Sequence, residues 1–156
     1  MRIEVFNRTK VRILRKDLVA KTGKIFSLLR ALGYWKKPHY TLNLVFVPDR
    51  ESRIIHQRFM KKPAAANVLS FDYGAFGELI LAPAVIRREA RAVGRPFSEA
   101  MIRLIVHGAL HLAGIHHGHS SVQKQKSIRL EGEITARLGI GEVRRLRSHR
   151  HTPGRE

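Results

Sequence analysis

Residues 107–117 read HGALHLAGIHH. The stretch holds four of the nine histidines of the chain, and a fifth, His119, follows two positions later. His107 and His111 are four residues apart, and on a helix such residues share one face, a turn apart. Two imidazoles so placed can grip one metal ion. Gly114 is expected to end the helix, because glycine adopts the left-handed conformation that turns the chain back. That reversal lets a residue just past the turn supply a third ligand, and by spacing His117 is preferred to His116 and His119. Three histidines leave one position open on a tetrahedral zinc ion, the arrangement of catalytic rather than structural sites. A single histidine on an apolar face is usually a hydrogen-bonded core residue, but H-x3-H-x5-H with a glycine at the turn is hard to attribute to chance. The expectation is one Zn2+ at the C-terminal end of a helix.

Outward from this helix the elements follow from periodicity and breakers. Ser98 is a candidate cap for the histidine helix, and residues 120–139 form a last helix that Gly139 should stop. Upstream, MRIEVFN (1–7) alternates as a strand. Residues 17–34 carry apolar side chains at helical spacing after a candidate cap at Asp17. HYTLNLVFVPD (39–49) is a strand, and residues 50–60 are a short helix bounded by Pro63. ANVLSFDYG (66–74) and GELILA (77–82) are strands able to pair as a hairpin, and Pro83 opens a helix to residue 94. The order β-α-β-α-β-β-α-α-α predicts a single α+β domain over residues 1–140, with a small mixed sheet of about four strands packed with helices. Residues 141–156 are basic and nearly devoid of apolar side chains, and are expected to stay disordered unless an anionic partner orders them.

Thirty Lys and Arg against twelve Asp and Glu give a net charge of +18. Such a surplus favours a polyanionic partner, because neutralising phosphates releases condensed counterions. The tail arginines Arg144, Arg145, Arg147, Arg150 and Arg155 would add affinity of this sequence-independent kind. There is no cysteine, which excludes disulfides and thiolate zinc sites and suits a reducing compartment. With no signal-peptide pattern and no apolar run of spanning length, a soluble, cytoplasmic protein is expected, without a membrane partner.

The histidine spacing also occurs in metzincin proteases, where glutamate follows the first histidine as general base. Here Gly108 occupies that position and no methionine follows the site, so a metallopeptidase lacks both its base and its support. A metal ion can instead make a nucleophile of water without a dedicated glutamate.

HGALHLAGIHH resembles the H-G-x-L-H-L-x-G-Y-D-H signature of the YbeY family, single-strand-specific, metal-dependent endoribonucleases of bacterial ribosomal RNA maturation. ANVLSFDYG resembles that family's T-D-V-L-S-F stretch, and GELIL its G-D-I-V-I strand. The resemblance covers most of residues 1–140. It implies a four-stranded α+β fold and zinc on His107, His111 and His117. It also implies action on single-stranded RNA, in particular ribosomal RNA or the small ribosomal subunit, in small-subunit 3′-end maturation and ribosome quality control, with no DNA specificity.

The chain departs from the pattern at several points. Tyr-Asp before the last histidine is Ile115-His116, and Thr-Asp before Val68 is Ala66-Asn67. The family's arginine eight residues before that valine is replaced by Met60, with Arg58 two residues earlier and Lys61 one later. Arg58 and Lys61 are therefore candidate catalytic cations, Glu78 is a candidate carboxylate at the site, and Ser70 is a candidate to line the cleft. Each has a plainer reading, as a solvated basic face, a sheet-edge charge and a strand hydroxyl. The rival functions are a non-catalytic, zinc-containing RNA-binding factor of ribosome maturation and, less favoured, a metallopeptidase. A fourth ligand from His116 or His119 would favour structural zinc.

Overall fold

In the computed structural model, which describes residues 1–118 and 120–141, β1 (Arg2–Asn7) lies parallel to β2 (Thr41–Phe46). Parallel neighbours need a crossover, and α1 (Arg15–Ala31) supplies it. From β2 the chain runs through α2 (Asp49–Met60) to the hairpin of β3 (Val68–Asp72) and β4 (Phe76–Leu81). β4 inserts parallel to β2, and β3 pairs antiparallel outside it, so the mixed sheet has the order β1-β2-β4-β3. Three helices follow, α3 (Pro83–Ala92), α4 (Phe97–Leu112) and α5 (Ser121–Arg137). The expected α+β class, element order and four-stranded sheet are all present.

The sheet buries one face. In β2, Leu42, Leu44 and Phe46 are fully buried while Thr41, Asn43 and Val45 are half-buried, the period of two of a pleated strand. In register with them on β4 lie Gly77, Leu79 and Leu81. This face packs against α4, whose Ile105, Val106, Ala109 and Leu110 are buried in the same core, and α1 adds Ile25 and Leu29. Helix and sheet meet closely at position 108. A Cβ there would sit 2.6 Å from Leu79 Cδ2 and 3.1 Å from Ser70 Oγ. The absent side chain lets α4 lie down on β3 and β4.

Two expected caps are not caps. α1 begins two residues before Asp17, behind Leu14, and Asp17 sits in its first turn, paired with Lys21 at 2.8 Å. α4 begins behind Pro96, so Ser98 is already inside it. The proline, with its fixed φ, takes the cap position itself and leaves no role for a hydroxyl two residues on. Helix α1 also ends at Ala31, short of residue 34, because Gly33 turns left-handed at φ 83° and Tyr34 N–H donates to the Leu29 carbonyl at 2.8 Å. Ser120 does cap α5, its Oγ accepting from Gln123 N–H at 3.2 Å. Apart from Gly141, the basic tail at 141–156 lies outside the described residues, as does His119. Among the described residues no helix is long and apolar enough to cross a membrane.

Candidate metal centre

Helix α4 carries His107 and His111 one turn apart, and both are half-buried. The helix ends as its sequence requires. Gly114 has φ 79°, its N–H donates to the His111 carbonyl at 2.9 Å, and Ile115 N–H donates to the Leu110 carbonyl at 2.9 Å. The reversed chain brings the exposed His117 back onto α4, where its ring stacks on His107 with centroids 4.9 Å apart.

The three side chains converge. His107 Nε2 and His111 Nε2 are 3.0 Å apart, and His117 Nε2 is 3.3 Å from His107 Nδ1. Each imidazole offers one nitrogen, and these ligand atoms all lie within 4.8 Å of one another. Nitrogens bound to a tetrahedral zinc ion stand roughly 3.3 Å apart, given Zn–N bonds of about 2.0–2.1 Å, so a set of one nitrogen per ring within 4.8 Å can close on a single ion. Among the described residues no fourth histidine or carboxylate joins this group. His116 instead meets His111 at its other ring nitrogen, Nδ1 to Nδ1, at 3.0 Å.

Electrostatics favour the ligating form of His111. Burial pulls its pKa down to about 4, and the neighbouring His107, His116 and His117 reinforce the shift while Glu131 opposes it. An imidazole held neutral keeps a lone pair free for a metal.

A cavity of about 590 Å³ opens beside the cluster between α4 and α5, lined among others by Arg103, His107, His117, Ile128 and Glu131. Arg103 precedes His107 by one helical turn, and its Nε is buried with no hydrogen-bond partner among the described residues. Glu131 comes from α5 and lies 3.2 Å from His107 Nδ1. Arg103 was detectable in the sequence from its i−4 relation to His107. Nothing local marks Glu131, which reaches the site only because α5 packs on α4.

The other expected site residues are not part of the three-histidine group. Leu79 faces α4 at Gly108, so strand alternation turns Glu78 to the opposite side of the sheet. There it stands across β3 from Phe71 and near Tyr73, whose phenol pKa it helps to raise after burial. The pleat thus places Glu78 on the sheet face opposite the one that meets α4 at Gly108. Arg58 and Lys61 are exposed at the C-terminal end of α2, where Lys61 takes the left-handed cap conformation at φ 54°. Neither lines the cavity beside His107 and His117. The adjacent Phe59 packs edge-on to Phe71, 5.3 Å between centroids, on the sheet face turned from α4. Ser70 faces α4 beside Gly108. The pleat and close packing also explain why position 108 is unsuited to a general base, since a glutamate there would be driven into Leu79.

The family profile described as "Endoribonuclease YbeY" matches residues 4–139. A curated relative from Aquifex aeolicus bearing that description is 30% identical over 141 residues, covering 86% of this chain and 91% of the relative. One from Burkholderia lata is 35% identical over 134 residues, covering 80% and 78% respectively. Another, from Chelativorans, is 35% identical over 112 residues, covering 65% and 68%. A solution structure of a Thermotoga maritima protein shares the fold, with a TM-score of 0.59, 21% identity, and coverage of 88% of this chain and 91% of that one.

Proposed function

Because this chain belongs to the endoribonuclease YbeY family, we propose that it cleaves phosphodiester bonds of single-stranded RNA at the His107–His111–His117 cluster. The observation that carries the reading is the convergence of three imidazoles, without a fourth ligand among the described residues, on a position that one ion can fill. We assign that ion as Zn2+, on the all-nitrogen donor set of a chain without cysteine. When bound, the ion supplies Lewis acidity and lowers the pKa of water toward neutrality. The curated relatives are named endoribonucleases, which supports RNA as the substrate, as does the net charge of +18. In the cell the substrate is ribosomal RNA or the small ribosomal subunit, in 3′-end maturation and quality control in the cytoplasm.

The residues of the chain divide the work. His107 and His111 present their Nε2 atoms from one rigid helix, and His117 closes the set from beyond the Gly114 turn. Arg103 lines the adjoining cavity with a cation suited to a phosphate oxygen. It offers positive charge close to the cluster, where Met60 stands in place of the family's arginine and Arg58 and Lys61 do not line the cavity.

That same distribution of charge favours the rival reading, a non-catalytic zinc-containing RNA-binding factor. Zinc content and RNA cleavage, measured together on wild type and His111→Ala, separate the two. The expected result is about one zinc per chain and cutting of a single-stranded ribosomal RNA fragment, both lost in the variant, with DNA and casein untouched. Zinc without cleavage, on the isolated fragment and on small subunits alike, would leave the RNA-binding factor.

A further inference from the structure

The carboxylate of Glu131 is turned onto His107 rather than onto any of the abundant cations. It lies 3.2 Å from His107 Nδ1, the two side chains being 26% and 28% exposed, and among the described residues no Lys or Arg stands within ion-pair distance of it. Its neighbour on α5, Glu133, pairs in the ordinary way with Arg137 of the same helix at 2.9 Å. In a chain with thirty basic residues, this carboxylate meets an imidazole and, among the described residues, no cation.

We propose that Glu131 is a positioning residue: it accepts the Nδ1–H of His107, fixes that ring in the tautomer with a bare Nε2, and aims the bare nitrogen at the metal position. The inference rests on the metal reading above and adds to it a residue from another helix. A neutral imidazole has one donor and one acceptor nitrogen, and an ionised carboxylate can only accept. Glu131 therefore requires the hydrogen to be on Nδ1. The remaining nitrogen, Nε2, is the one that faces His111 Nε2 at 3.0 Å. His117 Nε2 also approaches His107 Nδ1, at 3.3 Å. A single N–H is best directed to the closer and charged acceptor, which leaves His117 free to turn its own lone pair inward. Carboxylates in this relation to a ligating histidine hold its orientation and raise its basicity. The arrangement also makes the centre depend on the docking of α5 against α4, since the ligands come from α4 and the turn after it while their orienting group comes from α5.

The test uses the full chain, with Zn2+ competed against a chromogenic chelator, and 15N NMR of the histidine rings in the metal-free protein. Wild type should show His107 as the Nδ1–H tautomer. Glu131→Ala should lose that preference and bind Zn2+ about 10- to 100-fold more weakly. Glu131→Gln, whose carbonyl oxygen still accepts, should keep the tautomer and most of the affinity, while Glu133→Ala should match wild type in both. Circular dichroism checks that the variants fold. If Glu131→Ala folds and equals wild type in affinity and tautomer, the assignment is overturned. If it does not fold, Glu131→Asp decides, because a shortened carboxylate leaves the charge but withdraws the acceptor, and wild-type affinity with an unchanged ring would overturn the role. Wild type that fails to bind Zn2+ at all removes the metal reading itself, a result distinct from loss of the Glu131 role alone.

Discussion

His111 shows how burial and neighbours prepare a ligand. Its pKa of about 4 lies below the ordinary value of 6.5, so between those values the unfolded chain binds a proton that the metal-free folded chain does not. Its contribution to stability is complete above pH 6.5 and is lost as pH falls toward 4. Urea melts of the metal-free protein should accordingly give midpoints that drop across this window, and His111→Ala should flatten that dependence. Gly108 makes a different point at the same scale. Gly108→Ala places a methyl group against Leu79 and Ser70, and crowding of this kind costs about 1–3 kcal/mol, against a gain of up to about 1 kcal/mol in helix propensity. A net loss of stability is expected in denaturant titration, and a stabilised variant would show that the interface has slack.

Among the elements, the turn after α4 joins fold to site. At φ 79°, Gly114→Ala carries left-handed strain of roughly 1 kcal/mol or more, and the cheapest relief moves the segment bearing His117. Zinc affinity should fall by more than thermal stability, as read by competition titration beside a melt. Removing the cap of α5 by Ser120→Ala should cost about 1 kcal/mol and loosen the helix that delivers Glu131. The start and stop of these helices were largely legible in the sequence, because proline and glycine act through their own backbones. Asp17 and Ser98 misled because several polar residues near a helix start are chemically able to cap, and only the path of the chain selects one.

At the scale of the molecule, a charge of +18 should make RNA binding strongly dependent on salt. The logarithm of affinity should fall linearly with the logarithm of salt concentration, with a slope that counts neutralised phosphates at about 0.7 each for a single strand. Filter binding from low to moderate salt measures it, and a flat response would argue that the surplus charge faces away from the substrate. The core supports the site from below. Leu79→Ala, at a fully buried position under Gly108, should cost about 2–5 kcal/mol, measured by denaturant unfolding, and should lower zinc affinity only as far as α4 shifts.

What the sequence determined by itself is whatever is written in local spacing. The two helix histidines a turn apart, the glycine that folds His117 back, the strand alternation and the proline-bounded helices all act over a few residues, where bond geometry leaves few choices. The tertiary structure alone decided what faces the histidines. The register of β4 against α4 turned Glu78 to the far side of the sheet, and the packing of α5 on α4 brought in Glu131, 24 residues from His107 along the chain. Contacts of that kind depend on how whole faces bury against one another, and periodicity within one element says which face is apolar but not which partner covers it.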